Sequence, residues 1–248
     1  MLADAVKRAI WRAGRTGPGQ NAIHAAVLRD PRLARFDTVR EWPDSLDGFE
    51  DLAFLFSSNQ LNHGIISQQI DEAALLYRLV RGPGTATIAE IGRFKGGSTL
   101  LIAAAMHPEA ELYSYDVHVP LEASFTGADL YRSLAGALRR YGLEERVHLI
   151  VADSRTAEPP PRPCELVLVD GDHSYEGVRA DWDRWHALVA PGGHVLFHDA
   201  VDYGGFGTFC PGVVQLVAEI ERAGGEFERL RGAGSIAHFA RRQAAASA

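Results

Sequence analysis

The chain has 248 residues, of which 46% are hydrophobic and 23% are charged, and its 25 Lys and Arg against 32 Asp and Glu give a formal net charge of -7. This composition is that of a globular protein long enough to bury a full core, and it excludes disorder for most of the chain. The acidic balance disfavours binding to the phosphates of a nucleic acid.

No stretch of the sequence is long and apolar enough to cross a membrane. The longest apolar runs, such as residues 100–106, fall far short of the roughly 20 residues that a bilayer requires. The N-terminus carries charges where a signal peptide needs its apolar segment. We therefore expect a soluble, cytoplasmic protein with no membrane partner.

Only two cysteines are present, Cys164 and Cys210. They are too few for a disulfide framework or for a zinc site made of thiolates. Free cysteines are often buried as small apolar residues, so both are expected to serve packing alone.

The first 67 residues are predicted to form a helical extension that precedes the main domain. Leu2, Val6 and Ile10 recur at helical spacing beside basic residues, which indicates a short amphipathic helix. We expect this helix to dock on the protein itself or on a second subunit, binding to a membrane surface being the alternative. Residues 48–63 are too polar for simple core and too apolar for a linker, and they are predicted to form a lid.

The main domain, residues 68–243, is predicted to begin with a helix over about residues 69–80. Ile70, Ala73, Leu76 and Val80 recur on one face of this helix. A Gly-Pro-Gly turn then leads into the first strand.

From residue 86 onward, short β-rich runs alternate with stretches long enough for a helix. Their near-continuous apolar character is typical of parallel strands that helices cover on both faces. The last two runs are separated by a short Gly-containing connection that suits an antiparallel hairpin. The pattern predicts an open, doubly wound, Rossmann-like α/β sheet of seven strands. The predicted strands are 86–92, 111–117, 147–153, 164–170, 193–199, 226–231 and 235–241.

The turn after the first strand is where an open α/β sheet binds its ligand. Gly92 is followed by Arg93 and Phe94, so the glycine spacing of a dinucleotide-binding loop is missing. Two glycines separate Lys95 from Ser98, so the turn is not a phosphate-binding P-loop either. Both phosphate-binding interpretations fail.

This Glu-x-Gly-x-x-x-Gly-Gly-Ser segment, from Glu90 to Ser98, resembles the cofactor loop of class I S-adenosylmethionine-dependent methyltransferases. The resemblance implies that Glu90 and Gly92 contact the methionine portion of the cofactor and that Gly97 also belongs to the cofactor site. It places Ser98 near the cofactor carboxylate, which needs amide donors at a helix N-terminus. The plain alternative is that the glycines only shape a tight turn.

The next two predicted strands also end in polar residues. Asp116 ends the second strand, where a carboxylate can accept hydrogen bonds from both ribose hydroxyls of a cofactor. Asp153 and Ser154 follow the third strand, where this family places its adenine contacts. Each of them alone is a common polar strand end.

Residues 170–176 read Asp-Gly-Asp-His-Ser-Tyr-Glu, and this segment resembles a subfamily that includes sugar and other small-molecule O-methyltransferases of natural-product pathways. The resemblance spans about residues 68–239. It implies that Asp170, which also borders the cofactor, binds a divalent metal together with His198 and Asp199. Magnesium is the ion of such relatives, but His198 stands where they have an acid. Since imidazole suits manganese and other transition metals, these ions are the alternative.

The same resemblance places a general base two or three positions after Asp170. His173 is the first choice, because a free imidazole is largely neutral near pH 7 and can accept a proton. Asp172 is the second choice. A role in capping the following helix is the alternative for both.

The sequence therefore predicts a metal-assisted, S-adenosylmethionine-dependent O-methyltransferase. Its expected partner is a small-molecule hydroxyl acceptor, a sugar or a phenol, and the protein is expected to be a homo-oligomer. The alternatives are a metal-independent N- or C-methyltransferase and a catalytically silent protein that binds S-adenosylmethionine.

Overall fold

A computed structural model describes the structure of the protein over most of its length. The predicted amphipathic helix and residues 57–63 of the predicted lid lie outside the described residues. The described residues are 43–56, 66–94, 96–117, 127–201 and 210–243, with the backbone alone at 127–133.

Five α-helices and seven strands alternate along the described residues, with three short 3-10 helices between them. The α-helices are α1 (Ile70–Val80), α2 (Gly97–Ala105), α3 (Gly127–Arg140), α4 (Tyr175–Trp185) and α5 (Pro211–Ala223). The strands are β1 (Thr87–Ile91), β2 (Glu111–Asp116), β3 (Val147–Val151), β4 (Cys164–Val169), β5 (Val189–Phe197), β6 (Phe227–Ala233) and β7 (Ile236–Arg241). The 3-10 helices are Phe49–Phe56, Glu144–Arg146 and His186–Leu188.

The seven strands form one sheet in the order β3-β2-β1-β4-β5-β7-β6. Strands β1 to β5 pair in parallel, and β7 runs antiparallel to both of its neighbours. The predicted doubly wound α/β sheet and its closing hairpin are confirmed. The chain order reverses between β1 and β4, which is where such sheets bind ligands.

Strand β5 begins at Val189, four residues before its predicted start. The prediction began the strand at Gly193 and left out Pro191 and Gly192, which are residue types that rarely occur inside strands. In the structure the pairing of β4 with β5 shifts register between Cys164 and Leu166, and this irregularity accommodates the three residues.

Residues 49–56 belong to the core, which corrects the prediction of a lid for this part of the segment. Leu52 and Leu55 are fully buried and Phe54 is 8% exposed. These side chains join the apolar cluster formed by α1, α2 and the strands on one face of the sheet. The spacing of three residues puts Leu52 and Leu55 on the same side of a 3-10 helix, a period that the sequence interpretation did not test.

Helix α1 is confirmed, but its buried face differs from the predicted one. Ile70 is 64% exposed, whereas Glu72 is 1% exposed and lies on the inner face with Ala73 and Leu76. The Glu72 carboxylate accepts a hydrogen bond from the backbone N–H of Gln69 (2.7 Å), which fixes how the helix begins. A buried glutamate at this position needs polar partners inside the protein.

Candidate active site

The candidate site lies at the carboxyl edge of the central strands. The sheet ladder continues just past the strand ends, because the N–H of Asp170 donates to the carbonyl of Ile91 (2.7 Å) and that of His198 donates to the carbonyl of Val169 (3.1 Å). The residues that directly follow β1, β4 and β5 therefore stand side by side. This is the convergence that the strand-end pattern predicted.

Gly92 is the point at which the loop after β1 meets the loop after β4. Its φ is +87°, a left-handed conformation that favours glycine. A Cβ added to Gly92 would lie only 2.1 Å from the backbone carbonyl oxygen of Asp170. The close approach of the two backbones leaves no room for a side chain at this position.

Asp116 holds the loop that follows Gly92. Its Oδ2 accepts hydrogen bonds from the backbone N–H groups of Arg93 (2.9 Å) and Phe94 (3.1 Å). Phe94 itself has φ +46° and is 45% exposed. Asp116 thus orders the predicted cofactor loop, and its contact with the ribose stays a prediction.

Helix α2 begins directly beyond this loop without a side-chain cap. Its N-cap is Gly96, with φ +83°. Gly97 and Ser98 occupy the first turn, where the N–H groups of a helix have no partner within the helix. An uncapped helix N-terminus suits the carboxylate of the predicted cofactor.

Glu90 is fully buried beneath the loop and does not face solvent. Its carboxylate accepts hydrogen bonds from the hydroxyls of Ser98 (2.5 Å), Thr99 (2.6 Å) and Ser114 (2.5 Å). Burial raises the pKa of Glu90, and the three hydroxyl hydrogen bonds oppose this shift. In the structure Glu90 and Ser98 bind each other, and their contacts with a cofactor stay predictions.

Arg93 is a buried cation that the sequence analysis did not single out. The residue is 4% exposed, and its Nη1 donates to the backbone carbonyl of Ser114 (2.6 Å). Its Nη2 is buried and has no hydrogen-bond partner among the described residues. Arg93 therefore joins the polar layer under the loop.

Asp153 and Ser154, which follow β3, form an ion pair and a hydrogen bond with nearby side chains. Asp153 pairs with Arg155 (2.6 Å), and the Ser154 hydroxyl donates to Asp181 of α4 (2.5 Å). Hydrogen bonds from Arg155 lower the pKa of Asp153 to about 2. The adenine contacts of Asp153 and Ser154 stay predictions.

His198 lies between carboxylates and is 6% exposed. Its Nδ1 is 3.1 Å from Oδ1 of Asp170 and 3.8 Å from Oδ1 of Asp199, and its Nε2 is 3.2 Å from Oε2 of Glu72. Burial would lower the pKa of His198, but the surrounding carboxylates, Asp170 foremost, raise it well above the ordinary value. Asp170 and Asp199, the other two predicted metal ligands, thus both lie beside the His198 imidazole.

Glu72 reaches this cluster from α1 and was missed by the sequence analysis. Its Oε1 accepts hydrogen bonds from the N–H (2.5 Å) and the hydroxyl (2.8 Å) of Ser235. Burial would raise the pKa of Glu72, but His198 and the hydrogen bonds lower it to about 2. The Gln69-x-x-Glu72 capping pattern was the available signal, and it does not reveal a partner that lies 126 residues further along the chain.

His173 lies with its Nε2 between two carboxylates. This atom is 3.4 Å from Oδ1 of Asp170 and 3.5 Å from Oδ2 of Asp199. It is buried and has no hydrogen-bond partner among the described residues. A buried polar atom in this state indicates that a further group belongs at the site.

Asp199 is held in an uncommon backbone conformation, with φ +54°. Its N–H donates to the Ser235 hydroxyl (3.2 Å), and the thiol of Cys210 donates to its Oδ2 (3.5 Å). Left-handed non-glycine residues are uncommon and persist where their surroundings hold them. Cys164 and Cys210 are both buried, as predicted for packing, and Cys210 also contacts Asp199.

Asp172 contributes to the start of α4. Its Oδ1 accepts a hydrogen bond from the N–H of Ser174 (2.9 Å), and the Ser174 hydroxyl accepts one from the N–H of Gly177 (3.1 Å). A Cβ at Gly177 would lie 2.3 Å from Cγ of Asp172, so this side chain is packed against the helix. The contacts favour the capping role for Asp172, and its role as a base stays a prediction.

The side chains around His173 fit a metal ion. Two groups of three have potential ligand atoms within 4.8 Å of one another: Asp170, His173 and His198, and His173, Asp199 and Cys210. With bonds of about 2.1 Å, neighbouring ligand atoms around an ion lie roughly 3.0–3.4 Å apart. The spacings of 3.1 Å and 3.4 Å from Asp170 to the two imidazoles fall in this range.

Comparison with known proteins agrees with this architecture. Residues 89–200 match the family model described as a methyltransferase domain. The O-methyltransferase TomG of Streptomyces achromogenes, involved in tomaymycin synthesis and solved with S-adenosylmethionine, superposes with a TM-score of 0.53 at 19% identity, over 72% of this chain and 82% of that one. The O-methyltransferase of Bacillus cereus, solved with S-adenosylhomocysteine, gives a TM-score of 0.53 at 15% identity, over 71% and 83%.

The uncharacterised protein R132 of Acanthamoeba polyphaga mimivirus is 26% identical over 141 residues, which are 54% of this chain. The chain spans 61% of the length of that relative.

In the described part of the chain, no helix is long and apolar enough to span a membrane.

The sheet order, the strand-end site and the matched segment together define a class I, Rossmann-like methyltransferase fold. Residues 89–200, which match the methyltransferase-domain model, contain every predicted cofactor, metal and base residue.

Proposed function

We propose that the protein transfers the methyl group of S-adenosylmethionine to a hydroxyl oxygen of a small molecule, a sugar or a phenol. The observation that carries this proposal is the unpartnered Nε2 of His173, which lies between Asp170 and Asp199. Gly92 brings the predicted cofactor loop into contact with the backbone of Asp170. A proton acceptor therefore lies next to the proposed site of the methyl donor.

The chemistry requires little beyond alignment and removal of one proton. The acceptor oxygen forms a bond to the methyl carbon while the bond between this carbon and sulfur breaks. The electron pair of the broken bond remains on the sulfur of S-adenosylhomocysteine. The sulfonium is already a good leaving group, so the protein must orient the oxygen and take its proton. We assign the proton to Nε2 of His173.

Asp170, His198 and Asp199 would hold the divalent metal. A metal bound there would lower the pKa of the acceptor hydroxyl and fix its position. The carboxylates of Asp170 and Asp199 also orient His173 by contacts of 3.4 Å and 3.5 Å. We therefore propose that a divalent metal assists the reaction. We also propose that the enzyme is cytoplasmic and homo-oligomeric.

Binding of the cofactor is tested by titration calorimetry with S-adenosylhomocysteine, the expected product. We expect saturable binding at one site per chain and no comparable binding of NAD, since the loop lacks the glycine spacing of a dinucleotide site. The expected effect of Asp116→Asn is weaker S-adenosylhomocysteine binding, because Asp116 also orders the loop. Tight binding of NAD without binding of S-adenosylhomocysteine would overturn the proposal.

A further inference from the structure

The contact between Glu72 and His198 connects α1 to the candidate metal site. Glu72 is 1% exposed and His198 is 6% exposed, so the 3.2 Å contact between Oε2 and Nε2 is shielded from water. Glu72 lies outside the matched methyltransferase segment, which begins at residue 89. Glu72 has no role in the reaction proposed above.

Glu72 cannot readily turn away from His198. Its two oxygens accept hydrogen bonds from the N–H of Gln69, and from the N–H and hydroxyl of Ser235. The Ser235 hydroxyl also accepts a hydrogen bond from the backbone N–H of Asp199 (3.2 Å), so the same turn between β6 and β7 holds the Glu72 carboxylate and the backbone of Asp199. The position of the carboxylate is set by three separate segments of the chain.

This arrangement determines which nitrogen of His198 can bind a metal. A neutral imidazole carries one N–H donor and one acceptor nitrogen. If Glu72 accepts the Nε2–H, the lone pair of Nδ1 points towards the carboxylates of Asp170 (3.1 Å) and Asp199 (3.8 Å). In the imidazolium form Nδ1 carries a proton as well and donates it to Asp170, and a metal ion bound between the carboxylates would replace that proton.

We propose that Glu72 is a positioning residue that holds the Nε2–H of His198, so that Nδ1 becomes a ligand of a transition metal ion, and that the site prefers this ion over magnesium. Histidines that bind metals commonly donate their other ring N–H to a carboxylate, which fixes the tautomer and strengthens the ligand. The inference rests on the metal assistance included in the proposed function. It adds Glu72 to the site, and it specifies the class of ion that the site selects.

The preference follows from the kinds of donor atom. Magnesium favours oxygen ligands in octahedral geometry, whereas imidazole nitrogen suits manganese, iron, cobalt, nickel and zinc. Here the Nδ1 of His198 lies beside Oδ1 of Asp170 and offers such a nitrogen. The sulfur of Cys210 is 3.5 Å from Asp199 and adds a further soft atom to the surroundings.

The test measures metal binding directly, without cofactor or acceptor. Metal-free full-length protein is titrated with Co²⁺ and with Mg²⁺ by calorimetry, and the visible absorption of the Co²⁺ complex is recorded. We expect Co²⁺ to bind at least about tenfold more tightly than Mg²⁺. Glu72→Gln should weaken Co²⁺ binding by about 10- to 100-fold, as expected for the loss of such a partner.

Glu165→Gln is the matched control. Glu165 also binds two backbone N–H groups, those of Ala86 (3.1 Å) and Thr87 (2.7 Å), but these lie where β1 begins, at the opposite edge of the sheet. The substitution removes the same charge and should leave Co²⁺ affinity unchanged. Thermal unfolding of both variants shows whether either has lost its fold.

A second measurement on the wild-type protein does not depend on whether Glu72→Gln folds. Proton NMR of the Co²⁺ complex should show a shifted, exchangeable N–H resonance from a coordinated histidine whose other nitrogen is bound by Glu72. Absence of that resonance, equal binding of Mg²⁺ and Co²⁺, or unchanged Co²⁺ affinity in a folded Glu72→Gln variant would overturn the inference. Failure of S-adenosylhomocysteine to bind would instead overturn the proposed function and leave these metal measurements valid.

Discussion

Replacing His173 by glutamine is expected to lower kcat for methyl transfer by about a hundredfold or more, which is the usual contribution of a general base. Glutamine keeps the approximate length of the side chain but cannot take up the proton of the acceptor hydroxyl. The Nε2 of His173 is the buried, unpartnered atom between Asp170 and Asp199, so its loss removes the proposed proton acceptor. The turnover of the variant and of the wild type is measured at saturating cofactor and acceptor.

Asp172→Asn is the control for His173→Gln, because Asp172 is the second predicted base and lies next to it in the chain. The Asp172 carboxylate binds the N–H of Ser174 at the start of α4, and an asparagine oxygen can replace this contact. We expect kcat within about threefold of wild type, and S-adenosylhomocysteine affinity unchanged in both variants. A hundredfold loss in Asp172→Asn with near wild-type turnover in His173→Gln would transfer the role of base to the aspartate.

Gly92→Ala is expected to weaken S-adenosylhomocysteine binding by about tenfold or more and to lower the thermal stability of the protein. The new Cβ would lie 2.1 Å from the carbonyl oxygen of Asp170 and 2.7 Å from Cα of Gly171, both of them backbone atoms that cannot rotate away. The loops after β1 and β4 would have to separate, which would move the predicted cofactor loop away from the acidic cluster. Calorimetry and thermal unfolding measure the two effects.

Gly84→Ala separates the steric contact from the cost of the backbone conformation. Gly84 has φ +86°, nearly the same as the +87° of Gly92, but a Cβ there would meet nothing within 4 Å. Alanine at either position carries the penalty of a left-handed conformation, of order 1 kcal/mol. Only Gly92→Ala should lose cofactor affinity. Equal affinities in the two variants would show that the contact between the loops after β1 and β4 does not shape the site.

The sheet could be predicted from the sequence because each strand carries its own local signal. Buried parallel strands are short apolar runs, and turn residues separate them, so five parallel strands and a closing hairpin follow from pattern alone. The start of β5 was misplaced because Pro191 and Gly192 are residue types that rarely occur inside strands, so the prediction began at Gly193. The register shift that accommodates them depends on pairing with β4, which no local pattern contains.

The candidate site could be predicted where its residues follow strands. Asp170 and His198 come directly after neighbouring strands, and the topology places them together. Glu72 and Cys210 could not be predicted in this way, because they reach the site from helix starts and not from strand ends. Glu72 lies 126 residues before His198, and Cys210 lies 11 residues after Asp199. Helical periodicity also assigned Ile70 to the buried face, because it weighs apolar character and cannot anticipate a buried carboxylate that binds Gln69, His198 and Ser235.

The central claim, methyl transfer to a hydroxyl, is tested most directly by incubating the full chain with S-adenosylmethionine and a panel of sugar, phenol and catechol acceptors. Release of S-adenosylhomocysteine is measured with and without a chelator. A series of amine and carbon acceptors is assayed in the same way for comparison. The account predicts turnover with at least one hydroxyl acceptor, loss of that turnover on chelation, and its recovery with manganese or cobalt. Binding of S-adenosylmethionine without turnover on any hydroxyl, or transfer only to nitrogen or carbon that chelation leaves unchanged, would contradict it.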